Sequence, residues 1–175
     1  MRSFIVAGPE SSGNRLMAAI LVRAGLSGEG STNQPKDPSE IDYTQEQVII
    51  KHYDLGKWIV PFLHHGHSVT VIVMAREPHA QANSAYKHGH YASASVACIA
   101  APHIIKHNLI HALESGCRVE VIPYASLCDA MLIKFLERHG LRTDNTDQPL
   151  QLVGQDAPST IENMNHVHYE NNLVP

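Results

Sequence analysis

Two stretches of this chain carry residue types at spacings that suit anion binding. The first is Gly8-Pro9-Glu10-Ser11-Ser12-Gly13-Asn14-Arg15, whose glycines have the G-x-x-x-x-G spacing of a phosphate-binding P-loop. In such a loop successive backbone N–H groups curl around the anion, and the helix that follows adds the partial positive charge of its N-terminus. Gly13 allows backbone to approach a ligand closely, Ser11 and Ser12 offer hydroxyls, and Arg15 offers a cation. Asn14-Arg15 stands where an NTPase P-loop has Lys-Ser/Thr. The same residues also suit a tight strand-to-helix turn with Ser as cap. The second stretch is Arg76-Glu77-Pro78, with Ser84 eight residues after Arg76. Arg is a bidentate donor for phosphate, and a helix leaving at an angle can bring a hydroxyl two turns on towards the same anion. Taken alone, this pair also reads as a surface Arg and a helical Ser.

The elements that must position these residues follow from the apolar pattern. Residues 3–7 read as a short buried strand ending at Gly8, and residues 15–24 as a helix stopped by Gly25. Residues 27–46 are a long polar loop of the kind that often carries function. Residues 47–52 read as a second strand, and 54–65 as a short helix weakened by Pro61. Residues 68–75 are almost unbroken apolar, as a central parallel strand should be. Helices follow at 78–86 and 92–115, the second interrupted near Pro102. A fourth strand spans 118–123, and 125–139 place Leu127, Met131, Leu132, Phe135 and Leu136 at helical spacing before Gly140. Strands alternating with helices predict an α/β fold, a central parallel sheet with helices on both faces. Residues 1–141 form one domain, and 142–175 are polar and Pro/Asn-rich, an extended tail. Ligands bind such sheets at the carboxyl ends of the strands, and both motifs follow strands directly.

Together the two motifs resemble the sulfotransferase superfamily, which uses 3′-phosphoadenosine 5′-phosphosulfate (PAPS). In that family the first Gly/Ser loop binds the 5′-phosphosulfate, and a later Arg-x-Pro with a Ser eight residues after the Arg binds the 3′-phosphate. Arg76, Pro78 and Ser84 match that pattern, and Tyr86 follows as it often does. Pro9-Glu10-Ser11-Ser12-Gly13 is similar to the family's Pro-x-Ser-Gly-Thr loop with one residue more. Residues 121–127 resemble its strand-to-helix Tyr-Glu-Asp-Leu segment. The resemblance spans residues 3–141, and is nearest to the short single-domain sulfotransferase-like proteins of bacteria and phages, whose loop often reads Gly-Pro-Glu-Ser-Ser-Gly. It implies a three-layer α/β/α, P-loop NTPase-like fold that binds PAPS or adenosine 3′,5′-bisphosphate through Gly8, Pro9, Glu10, Ser11, Ser12, Gly13, Asn14, Arg15, Arg76 and Ser84. Two departures stand out. Ser11 occupies the place where many members carry a basic residue that stabilises the transferring sulfuryl group, leaving Arg15 to bend back. No Arg-Lys-Gly loop is visible in residues 142–175.

Sulfuryl transfer also needs a base for the acceptor. In the cytosolic branch of the resembled family this is a His after strand 2, and here that strand ends in Lys51-His52-Tyr53-Asp54. An imidazole titrates near neutral pH, so His52 is the candidate base, with Lys51 a candidate partner for the sulfuryl oxygens. A partly buried His at a strand end is the plainer reading. His88 and His90 fall near the same edge. His64, His65 and His67 cluster before strand 3, and His103, His107 and His111 form one helical stripe. Neither group has the thiolates or the Glu that would make it a zinc motif, and the stripe suits a solvated or dimer-facing surface.

Composition limits the function classes. With 175 residues and 43% apolar content the chain should form one globular domain. It carries 13 Lys+Arg against 17 Asp+Glu, which disfavours a general nucleic-acid binder but leaves room for a local anion site. No run approaches the ~18–20 apolar residues needed to span a bilayer. Residues 4–7 are too short for a signal-peptide core, so a cytoplasmic location is expected. Cys98, Cys117 and Cys128 lack a C-x-x-C spacing and read as small buried apolar residues. The reading is a PAPS-dependent sulfotransferase acting on a hydroxyl or amine of a small molecule or glycan, with any deep acceptor pocket shared in a homo-oligomer. The alternatives are a non-catalytic nucleotide-binding module and a P-loop nucleotide kinase or NTPase.

Overall fold

The strand at residues 68–75 is the centre of the molecule. In the computed structural model, which describes residues 1–28, 34–127 and 129–143, β3 (Ser68–Ala75) is buried from Val69 to Met74. Its β-branched run suits a strand covered on both faces. β1 (Arg2–Ala7) pairs with it in parallel from Arg2↔Ser68 to Ala7↔Val73. β2 (Gln47–Ile50) lies outside β1, and β4 (Arg118–Pro123) pairs with the other side of β3, both again parallel. The sheet is therefore four-stranded with the order β2-β1-β3-β4.

The strands alternate between two apolar clusters. Phe4, Val6, Val48, Ile50, Ile72 and Met74 face α1 (Asn14–Arg23) and α5 (Asp129–Arg138). Ile5, Ala7, Ile49, Val71 and Val73 face α2 (Leu55–His64) and α4 (Ala94–Glu114). α3 (Pro78–Lys87) packs on α4 through Ala82, Ala85 and Ala97. Helices on both faces of a parallel sheet make the α/β architecture that the apolar pattern predicts. No helix among the described residues is long and apolar enough to cross a membrane.

Topology fixes where a ligand would sit. The chain leaves β1 through α1 towards β2, and leaves β3 through α3 and α4 towards β4, on the opposite face and in the opposite direction. Connections diverging from adjacent parallel strands open a crevice beyond their carboxyl ends. Here the carboxyl ends of those two strands carry residues 8–13 and Arg76.

Three elements differ from expectation. The helix expected to break near Pro102 is continuous as α4. Pro102 is exposed, and Ala101 and Ile104 beside it are buried, so packing on the inner face carries the helix past one missing N–H. The helix expected over 125–139 begins instead with a 3-10 turn at Tyr124–Ser126, and α5 starts at Asp129. β2 ends at Ile50, two residues early, although Lys51 N–H still donates to Val6 O at 3.0 Å. Part of the 27–46 loop (29–33), Cys128 and the tail from 144 lie outside the described residues. Of the other cysteines, Cys117 is buried and Cys98 half-buried.

Candidate functional site

The residue 8–15 loop is held by its own side chains. Asn14 Nδ2 donates to Gly8 O at 3.2 Å and Pro9 O at 3.1 Å, and its Oδ1 accepts the Ser12 hydroxyl at 3.2 Å. Ser12 and Asn14 are buried, so their polar atoms are turned inward to the loop. Both glycines are required by the surrounding protein. A Cβ on Gly8 would stand 2.7 Å from Met74 O on β3. Gly13 has φ +101°, and a Cβ there would stand 2.4 Å from a ring carbon of Tyr124. Ser11 is also left-handed, at φ 62°. α1 starts directly after the loop, and of its first four residues only Arg15 is exposed. Gly13 caps it without a side-chain bond, and the first turn holds no acidic residue. By contrast, Glu77 caps α3 through His79 N at 3.0 Å and Ala80 N at 2.6 Å, and Ser93 caps α4. Glu77-Pro78 is thus a cap followed by a proline in the first turn.

Arg76 lies across the loop. Its Nη1 donates to Ser11 O at 3.1 Å, and its guanidinium stands 4.9 Å from the centroid of the Tyr124 ring. Burial pushes its pKa below the ordinary value, against smaller opposing effects of Tyr124 and Glu77. Burial likewise raises the Tyr124 pKa, which Arg76 opposes. Gln81 of α3 is almost fully buried and donates Nε2 to Glu10 O, tying the helix after β3 to the loop after β1. Ser84 is half-buried one turn further along α3.

His52 completes the edge. Its Nδ1 is 2.8 Å from Gly8 O, much closer than the 3.4 Å to Asn14 Nδ2, whose protons serve Gly8 O and Pro9 O. A carbonyl only accepts, so Nδ1 carries the proton and Nε2 is the nitrogen left to do chemistry. Nε2 stands 3.3 Å from Glu10 Oε1, and His90 Nε2 stands 3.9 Å from Glu10 Oε2. Tyr91 is beside them, its pKa pushed up to about 12 by burial, the Tyr53 hydroxyl and the Glu10 charge. Arg15 is an exposed residue of the first turn of α1. Lys51 is held elsewhere. Its Nζ donates to Pro35 O and sits 3.6 Å from the centroid of the Trp58 ring. Burial lowers its pKa, helped by Lys57 and opposed by Glu40.

The structure thus brings together Gly8, Glu10, Ser11, Gly13, Arg76 and His52, and turns Ser12, Asn14 and Lys51 to other partners. Sequence reasoning named Glu10 as a binding-loop residue and Tyr124 only within the residue 121–127 segment, and it missed Gln81 and Tyr91. The place of Tyr124 against Gly13 is a tertiary contact that neither residue signals in the sequence. Outside the crevice, His67 is buried between Ser3 Oγ at 2.7 Å and Tyr43 O at 2.9 Å. His107 and His111 stack edge to face on α4. Among the described residues no group of three His, Cys, Asp or Glu is placed to hold a metal ion. The chain finds no match among protein-family models, curated proteins or solved structures.

Proposed function

We propose that this chain binds a phosphate-bearing nucleotide in the crevice beyond β1 and β3, and that it is a PAPS-dependent sulfotransferase acting on a hydroxyl or amine acceptor. The observation that carries the reading is the placement of Arg76 over the residue 8–13 loop, next to the uncapped start of α1. A guanidinium depressed by desolvation gains from a neighbouring anion, and helix N–H groups favour one. The glycine spacing does not carry it, because packing accounts for both glycines. The α1 N–H groups and the Ser11 hydroxyl would hold the 5′ end, with Arg76 and Ser84 holding the 3′-phosphate. PAPS would supply a sulfuryl group on a phosphate leaving group. Anchored through Nδ1, His52 would accept the acceptor's proton at Nε2.

A non-catalytic nucleotide-binding module is the second reading. It is favoured by Lys51, whose ammonium lies on Trp58 and Pro35 instead of at the loop. Calorimetry with adenosine 3′,5′-bisphosphate, and separately with ATP and magnesium, tests nucleotide choice. Bisphosphate should bind, and Arg76→Ala should weaken it by ~1 kcal/mol or more, roughly fivefold, through loss of a charge-assisted bond. Binding of ATP–magnesium without the bisphosphate would replace this reading by that of a P-loop nucleotide kinase or NTPase. Bisphosphate binding with no sulfuryl transfer to any of a panel of phenols, amines and sugars would favour the module.

A further inference from the structure

We propose that the Glu10 carboxylate is a built-in competitor of the anion at the residue 8–15 loop, and that protonation of His52 and His90 relieves it. The proposal rests on the nucleotide-binding reading above and adds a regulation to that site.

Glu10 belongs to the loop itself, so its negative charge opposes an anion held there. Two carbonyls of the loop are clamped from outside, Glu10 O by Gln81 Nε2 and Ser11 O by Arg76 Nη1. The clamps fix the backbone and leave the carboxylate to its side-chain neighbours. From the end of β2, His52 Nε2 faces Oε1 at 3.3 Å, and from the connection between α3 and α4, His90 Nε2 faces Oε2 at 3.9 Å. Tyr91 flanks them and feels the Glu10 charge. From β3 the nearest cation is Arg76, at Ser11.

The tautomer sets the sign. Nδ1–H of His52 is engaged by Gly8 O. In the neutral ring Nε2 therefore presents a lone pair to the carboxylate, and His52 supplies no proton to offset the Glu10 charge. Once protonated, Nε2 donates to Oε1, and His90 can do the same at Oε2. The carboxylate is then neutralised and held towards the histidines. Side chains of Glu10, His52 and His90 are 29%, 25% and 35% exposed, so water screens the repulsion only in part. Anion affinity should therefore rise as pH falls and the two imidazoles take up protons.

Sulfate is the probe of choice because it stays a dianion from about pH 8 to 5.5. Its affinity, followed by NMR titration of the loop amides, should increase in the wild type over that interval. Glu10→Gln keeps the shape of the side chain and the backbone bond to Gln81. It should bind sulfate roughly tenfold tighter at pH 8 and show a smaller pH dependence. His52→Gln/His90→Gln should lose the rise at low pH. Glu10→Ala repeats the measurement, and thermal melts check that each variant is folded. Unchanged sulfate affinity in both Glu10 variants at pH 8, or a full wild-type pH dependence in Glu10→Gln, overturns the proposal. Adenosine 3′,5′-bisphosphate separates the two claims. If the wild type binds it and Glu10→Gln binds it no tighter, only the competitor role is lost. If no folded variant takes bisphosphate or sulfate at any pH, both are.

Discussion

Gly13 is fixed by two constraints that act on the same atom. Its φ of +101° lies where an L side chain is strained, and the Cβ it lacks would overlap the Tyr124 ring at 2.4 Å. A strained backbone costs about 1–3 kcal/mol and overpacking a similar amount. Gly13→Ala should therefore lose at least ~2 kcal/mol, read as a lower midpoint in urea. Gly56 in α2 is the control: a Cβ there meets nothing within 4 Å and no positive φ is involved. Gly56→Ala should be neutral or gain up to ~1 kcal/mol from helix propensity. Equal losses in the two variants would show that the Tyr124 contact does not govern Gly13. The pair also shows how far the site is legible from residues alone. The sequence marks Gly8 and Gly13 as special, for a ligand or for a tight turn, but does not show that the fold also needs them for Met74 and Tyr124. It ranks Ser12 and Asn14 with the ligand-facing residues, although their polar atoms bind the loop. Glu10 was legible as a binding-loop residue but not as the partner of His52 and His90, which lie far off in the chain.

At the scale of elements, sequence reading succeeds where a pattern is local. The unbroken apolar run of residues 68–75 predicts a central parallel strand, and β3 has those bounds. It does less well where tertiary packing decides. α4 runs through Pro102 because Ala97, Ala101, Ile104, Asn108 and Ala112 form a buried stripe along it. One member of the stripe is out of character. Asn108 is fully buried, and neither atom of its amide has a hydrogen-bond partner among the described residues. A polar group left so costs about 1–3 kcal/mol. Asn108→Leu, of similar volume, should raise the unfolding free energy by about 1–2 kcal/mol. A fall of that size would instead show that the amide is satisfied by an ordered water within the α/β layer.

At the scale of the whole molecule, charge is gathered at the end of the sheet away from the crevice. Glu120 of β4 takes Arg118 at 3.0 Å, His139 at 2.7 Å and also Arg138, joining β4 to the end of α5. Arg2 pairs with Glu46 at 2.6 Å and donates to His139 O, which ties β1 to both. His139 is the member that should register pH. Burial between Phe4 and Phe135 lowers its pKa from 6.5, and Glu120 only partly opposes this. Above pH ~6.5 the ring is neutral in folded and unfolded chains alike, and its contribution is fully present. As pH falls below that value the unfolded chain binds a proton that the folded chain resists, so stability is lost with acidification. The carboxylates of Glu46, Asp37, Asp42 and Glu77 are held low by hydrogen bonds from Arg2, Ser39, Thr44 and Ala80. Their contributions are lost only at more acid pH, as those groups protonate, so the two windows separate. Urea unfolding between about pH 7.5 and 5 should show falling stability in the wild type, with a shallower fall in His139→Gln, whose amide can still donate to Glu120. Parallel curves for the two proteins would remove His139 from the account and leave its burial against Phe4 a matter of packing alone.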